Sequence, residues 1–302
     1  MARRAVDGVL LLDKPAGLSS NAALQEAKRL LGAAKAGHAG TLDPLASGLL
    51  PLLFGEATKF ARFGLEADKT YLASVRLGVR TATADAEGEV LERRTVEVDQ
   101  ARLTGALARF RGEIRQVPPM YSALKRDGRP LYELARAGKV VERDARTVTI
   151  HELALLERDG ELLQLRVGCS KGTYIRQLAE DLGEALGCGA HLAALRRTGA
   201  GDFTLEQAVT LDRFRELDEA RRLASLLPVE HLLRALPVVS LAPEEALRFM
   251  QGQAVPSETA PAAACRVLAR SGALLGVGEA GADGKLRPVR LLSQRTEAGA
   301  TG

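Results

Sequence analysis

Residues 37–48, GHAGTLDPLASG, hold one histidine and one carboxylate, His38 and Asp43, among glycines, alanines and a proline. Gly37, Gly40 and Gly48 permit close approach of another backbone or of a ligand. Ala39, Ala46 and Ser47 leave space around Asp43. A carboxylate rimmed by small residues can be reached by a bulky planar group, and an aspartate can act as a covalent nucleophile. An Asp-Pro pair is equally at home in a surface turn, with the carboxylate bonded to its own backbone. No second carboxylate lies at helical spacing, so a paired acid–base site is not visible in this stretch. His38, His151, His191 and His231 fall at no metal-ligand spacing, which points to no catalytic metal. With neither a P-loop nor a GxGxxG motif, no nucleotide cofactor is expected.

The chain has four tyrosines and no tryptophan. Tyr71 stands in DKTY, Tyr121 in VPPMYSALK, Tyr132 in RPLYELARAG, and Tyr174 in SKGTYIRQLAEDLG, two residues before Arg176. Each ring either fills core with its hydroxyl at the rim or stacks on a nucleobase, as a base-handling site requires. The net charge is +4, a mild bias towards an anionic partner. Of 42 basic residues only nine are lysine. Arginine suits bidentate phosphate contacts, although a GC-rich genome produces the same bias. Residues 115–146 carry eight basic and four acidic side chains, a net +4 equal to that of the whole chain.

The elements that must position these groups follow from periodicity. An apolar strand is expected at 8–12, ended by the turn DKPAG. Ser20 is expected to cap a helix to Leu31, with Leu24, Ala27 and Leu31 on one face and Gly32 as the stop. GHAGTLDPLASG then reads as a loop, 49–54 as a strand despite Pro51, and 56–63 as a short helix. KTYLASVRLGVR alternates, placing Tyr71, Ala73, Val75 and Leu77 on one face of a strand. Asp99 caps a helix ending near Gly112. Prolines 118, 119 and 130 mark 115–146 as an excursion from the core with one short helix at 131–137. Strands are expected at 147–156 and 162–167. An amphipathic helix at 173–186 turns Ile175, Leu178, Ala179, Leu182 and Leu186 inward. A helix at 212–227 and a further segment at 229–236 follow. From 237 a short helix and the strand patterns CRVLAR, LLGVGEA and LRPVRLL suggest a β-barrel-like module of about sixty residues.

The length fits one large domain and one small one. Apolar runs are too short to cross a bilayer. The N-terminal run is bracketed by Asp7 and Asp13 with no small-residue cleavage site, so no signal peptide is expected. Cys169, Cys188 and Cys265 form no CxxC pair, in keeping with reduced thiols of a cytoplasm.

Five motifs, in order along the chain, resemble the TruB-type family of tRNA pseudouridine-55 synthases: KPAGLSS (14–20), GHAGTLDPLASGLLPLLFGEATK (37–59), TATADAEG (81–88), QVPPMYSALKRDGRPLYELARAG (116–138) and CSKGTYIRQLAEDLG (169–183). The resemblance covers about residues 8–230, and the C-terminal module resembles a PUA-like RNA-binding domain. The implied fold is α+β, a mixed, largely antiparallel sheet flanked by helices, with a small β-barrel-like C-terminal domain. The implied domains are 1–236, including an RNA-clamping insertion at 115–146, and 237–295.

The implied reaction turns the T-loop uridine at tRNA position 55 into pseudouridine, with no cofactor and no metal. Asp43 matches the catalytic aspartate, acting as nucleophile or as an essential base at the sugar. Tyr71 matches a tyrosine that stacks on the target base, and Arg176 the arginine that pairs with the aspartate. Tyr174 resembles a second pocket tyrosine, and His38 a histidine that fills space left by extruded bases. Lys14, with Pro15, matches a motif beside the pocket, and Asp85 a position contacting RNA or pocket residues. Lys125, Arg126 and Arg129 fall in the insertion, expected to be mobile alone and to order on RNA. The implied partner is the T arm of tRNA, with the C-terminal module near the acceptor stem. A monomer in the cytoplasm is expected, with no obligate protein partner and no membrane. The sister branch that works with guide RNAs shares some motifs. A non-catalytic RNA-binding protein or tRNA folding chaperone would use the same scaffold, and a metal-free hydrolase using Asp43 is the remaining alternative.

Overall fold

The structure, a computed structural model, describes residues 4–121 and 141–293, and the backbone of 125–126 and 129–130. The expected helix at 131–137, Tyr132 and the side chains of Lys125, Arg126 and Arg129 lie outside the described residues.

A ten-stranded mixed sheet organises the larger part of the chain. Eight of its strands form one path: β1 (Gly8–Lys14), β2 (Ser47–Phe54), β3 (Lys69–Leu77), β4 (Gly112–Gln116), β5 (Arg146–Asp159), β6 (Leu162–Cys169), β7 (Ala190–Ala200) and β8 (Val209–Thr210). Their spatial order is β8-β1-β2-β7-β3-β6-β5-β4. All neighbours are antiparallel except β1 with β8 and β2 with β7. In β3 the period of two is strict: Lys69, Tyr71, Ala73, Val75 and Leu77 are buried. Pro51 is tolerated inside β2 because its neighbour changes there. Ser47 and Gly48 pair with β7, whereas Leu52 to Phe54 pair with the short strand Ala36–His38.

Helices pack on this sheet. Helix α1 (Ser20–Leu31) buries Leu24, Ala27 and Leu31 and stops at Gly32, whose φ of 61° is the left-handed C-cap. Each fully buried leucine contributes about 2 kcal/mol. Helix α2 (Ala61–Glu66) follows a 3₁₀ turn, Gly55–Phe60. Helix α3 (Gln100–Arg109) is capped by Asp99, and α4 (Ile175–Ala185) buries Ile175, Leu178, Ala179 and Leu182.

Four expectations need correction. Ser19, not Ser20, caps α1, its side chain accepting from Ala22 N. His38 lies on a strand, not in a loop, because its segment pairs with Leu52 to Phe54. The stretch 212–227 is two short helices, Leu211–Glu216 and Glu219–Ala224, separated by extended Leu217 and the new cap Asp218. Strand β7 was not anticipated, although it sits between β2 and β3. Register shifts at Leu192/Ala194 and Arg197/Gly199 break its alternation.

The C-terminal part forms a second, five-stranded sheet: β9 (Val238–Leu241), β10 (Val255–Pro256), β11 (Ala262–Ala269), β12 (Leu274–Ala280) and β13 (Lys285–Leu291), ordered β9-β11-β12-β13-β10. Phe249 of the Pro243–Met250 helix is fully buried against it. The two sheets are joined at the 3₁₀ turn. Phe60 clusters with Leu233 and Val277. Lys59 Nζ donates to Ser293 Oγ at 2.8 Å and Leu291 O at 3.2 Å, and Ser293 N donates to Glu56 at 2.6 Å.

Candidate active site

The 37–48 stretch is led across the sheet by one close approach. At Gly48 the φ is 101°, and a Cβ there would lie 2.3 Å from Arg197 O, so only glycine permits the β2–β7 contact. Helix α2 packs on the same stretch, where a Cβ at Gly64 would lie 2.6 Å from Ala39 Cβ. The result is a cavity of about 560 Å³ walled by Asp43, Tyr71, Asp85, Tyr121, Tyr174 and Arg176.

Arg176 ties the walls together. It sits in the first turn of α4, whose start is held by Gln116: the Gln116 amide donates to Tyr174 O at 3.1 Å and accepts from Tyr174 N at 2.8 Å. The guanidinium is spread over four oxygens. Nε meets Asp43 Oδ2 at 2.9 Å and Asp85 Oδ2 at 3.6 Å. The remaining nitrogens donate to Thr83 O at 3.1 Å and Tyr121 O at 2.6 Å. The two carboxylates differ in access: Asp43 keeps 40% of its side-chain surface exposed, Asp85 only 5%. Asp85 is fixed further by the Thr83 hydroxyl and by Glu87 N at 3.1 Å. Its loop contains Ala84 at φ 58°, a strained conformation for a residue with a Cβ, and is stitched to β7 through Leu192.

Electrostatics at the cavity are set by burial first. Burial pushes the Asp43 carboxyl up, Arg176 pulls it down, and the neighbouring Asp85 charge adds to the rise. Although the Asp43 side chain is partly open, it lies within the cavity, so the protein around it counts more than its open face. The Tyr71 hydroxyl is pushed up by burial against a counterpull from the nearby Arg197 guanidinium. It is a neutral phenol in the neutral range. Lys14 and Lys69 are lowered to about 8, in both cases mainly by burial. His38 is lowered by burial and by Arg197.

Five of the sequence-selected residues, Asp43, Tyr71, Asp85, Tyr174 and Arg176, face one cavity. Lys14 and His38 do not line it. Lys14 Nζ donates to Pro15 O and Leu18 O behind the wall. His38 is partly buried on its strand, with Nδ1 unbonded. Two residues were missed. Arg197 donates to Leu49 O at 2.6 Å and Gly40 O at 3.1 Å, and Lys69 donates to Gly64 O and Leu65 O at the end of α2. Both line the cavity. The signal for Arg197 was indirect: a glycine-rich loop implies some close neighbour. Lys69 gave only its in-phase position in β3. Among the described residues there is no cluster of side chains able to hold a metal ion.

The family profile "TruB family pseudouridylate synthase (N terminal domain)" matches residues 28–175, "tRNA pseudouridylate synthase B C-terminal domain" matches 176–234, and "Pseudouridine synthase II TruB, C-terminal" matches 237–292. The chain belongs to the TruB family of pseudouridine synthases. It is similar to tRNA pseudouridine synthase B of Burkholderia mallei (strain NCTC 10247), with 60% identity over 97% of this chain and 99% of that protein. The protein of the same name from Dechloromonas aromatica (strain RCB) is 57% identical over 96% and 97%. Among solved structures, a chain from a Cbf5-Nop10-Gar1 complex superposes with a TM-score of 0.72 at 29% identity, covering 95% of this chain and 84% of that one. As a TruB-family enzyme the chain is a pseudouridine synthase, an isomerase with a mixed α+β fold. Among the described residues no helix is long and apolar enough to cross a membrane.

Proposed function

We propose that the chain draws the T-loop uridine at tRNA position 55 into the cavity and isomerises it, with Asp43 as the essential carboxylate. The bond from C1′ to N1 breaks and one from C1′ to C5 forms. The proton leaves C5 and N1 gains one, so the balance needs neither redox partner nor water. The carrying observation is the asymmetry of the carboxylate pair: Arg176 Nε holds both, yet only Asp43 has surface to offer a substrate. Arg176 favours the ionised form against the pull of burial and fixes its direction. Tyr71, a neutral phenol on the cavity wall, offers the extruded base an apolar ring. A cavity of about 560 Å³ is ample for one nucleotide.

Extruding a nucleotide costs a few kcal/mol of stacking, and several basic segments are available to offset it. Lys125, Arg126 and Arg129 of the 115–146 insertion contact the RNA in this reading, and the sheet from Val238 to Leu291 contacts tRNA beyond the T loop. The names of the relatives support tRNA as substrate. Buried free thiols at Cys169, Cys188 and Cys265 suit a reducing, cytoplasmic compartment.

Tritium release from tRNA labelled at uridine C5 tests the assignment. Wild type releases tritium without any guide RNA. Asp43→Asn loses at least about 10³-fold in rate while its tRNA Kd changes less than about threefold, because one carboxylate facing RNA adds nothing to attraction. Release by both proteins would remove Asp43 from the chemistry. Binding without release by wild type would favour an RNA chaperone.

A further inference from the structure

We propose that Ser20 is a positioning residue for Asp43, an inference that rests on Asp43 being the reactive carboxylate. Two adjacent serines begin α1, and only one is needed at its end. Ser19 caps the helix, its Oγ accepting from Ala22 N at 3.1 Å. Ser20, 2% exposed, is therefore free of that duty. Its hydroxyl is committed wholly to one residue, Leu42, 22 positions later. The oxygen accepts from Leu42 N at 2.8 Å and its proton goes to Leu42 O at 2.8 Å.

The Leu42 carbonyl belongs to the peptide that leads into Asp43, so this pair of hydrogen bonds sets the plane from which the catalytic side chain departs. The residue beyond Asp43 is held from the same segment, with Gly17 N donating to Pro44 O at 2.8 Å. Ala46 N closes the turn on Asp43 O at 3.1 Å. The clamp is itself braced. Lys14 Nζ bonds Pro15 O and Leu18 O, fixing the turn that carries Gly17 and leads into Ser20. The Leu42 side chain is anchored in the main core. Residues on both sides of Asp43 are thus tied to one short stretch, 17–20. From that fixed backbone the carboxylate reaches Arg176 Nε at 2.9 Å.

Reacting groups must be held within about 0.5 Å of productive geometry, and a misplacement of about 1 Å can lower a rate roughly 10²-fold. Alanine at position 20 strands a buried N–H and a buried C=O at Leu42, which the loop can satisfy only by moving or by admitting water.

The test is single-turnover tritium release from labelled tRNA by the full chain, with tRNA Kd, thermal midpoint and the pH profile of the rate. Ser20→Ala is expected to slow release about 10- to 100-fold with Kd within about twofold of wild type. Its acid limb moves towards neutral pH. The charged groups facing Asp43 are Arg176, Asp85 and Lys14, and a loosened carboxylate loses most from the closest of them, Arg176. Leu31→Val, buried at the far end of the same helix, gives the structural control: a lower midpoint with the wild-type rate and profile. If Ser20→Ala does not fold, Ser20→Cys, which keeps a weak donor, is measured in the same way and is expected to fall between wild type and a tenfold loss. Ser20→Ala or Ser20→Cys with the wild-type rate and an unmoved acid limb overturns the proposal. No release by wild type itself overturns the reading of Asp43 beneath it, and the two failures are told apart by which protein is silent.

Discussion

Two buried arginines border the cavity, and their donors are satisfied in opposite ways. Arg176 faces two carboxylates, Asp43 and Asp85, and places its spare nitrogens on Thr83 O and Tyr121 O. Arg197 is held by the carbonyls of Leu49 and Gly40. Carbonyls satisfy its donors without cancelling its charge. The surroundings record the difference: Arg197 acts, behind burial, to lower Lys14, His38 and Lys69. One arginine is a partner whose energy goes into orienting a carboxylate. The other is a fixed positive charge whose bonds assemble the wall. The same side chain, buried in both places, therefore orients a carboxylate or assembles a wall according to what accepts its protons.

The contrast can be broken most sharply at Arg176. Arg176→Lys keeps the charge but cannot reach two carboxylates and two carbonyls with one ammonium. A single-turnover rate about 10²-fold lower (roughly 2.7 kcal/mol) is expected, with tRNA Kd little changed. A rate within threefold of wild type would make the fork geometry irrelevant. At Arg197 the expected loss is of stability. Arg197→Met removes the bonds to Leu49 O and Gly40 O, at a cost of about 2–4 kcal/mol in urea unfolding. A variant as stable as wild type would end the architectural reading.

The smallest effect is one of pH. Lys69 is lowered in the folded state to about 8 from 10.5, so below pH 8 folding carries the full penalty of a buried charge. Between pH 8 and 10.5 the folded lysine sheds its proton while the unfolded one keeps it, and wild type gains stability over that window. Lys69→Met has no such gain. Its unfolding free energy, measured against wild type at pH 7 and at pH 9.5, is expected to compare less favourably at the higher pH. A gap that does not change would mean that Lys69 stays charged throughout.

Much of this molecule could be read before any coordinates, and the unread parts share a cause. The strict alternation of 69–77 announced a strand with Tyr71 inward, and the small residues around Asp43 announced close approach. The inward face of α4 followed from periodicity, with the start expected at Thr173 and found at Ile175, yet Arg176 was not legible from the period, which gives no reason to bury an arginine. It came from the motif. Arg197 stayed hidden because its strand carries two register shifts, so residues that share a face are not two apart. Ser20 was read as a cap because a serine before a helix is one. That its neighbour takes the cap depends on a single φ/ψ choice at Ser19 that neighbouring sequence does not encode. Local chemistry was legible, whereas contacts spanning a hundred residues or more, such as Arg197 with Gly40, were not.

The contact between Gly64 and Ala39 has a consequence for how such a chain can vary. With a Cβ at 64 falling 2.6 Å from the Ala39 methyl, the two positions hold one methyl group between them. A methyl gained on helix α2 must be lost from the loop that carries Asp43, or the helix must lift away. Lys69, bonded to the carbonyls at the end of that helix, resists the second course. Positions 39 and 64 therefore form one steric unit, in which a larger side chain at either must be accommodated by the other.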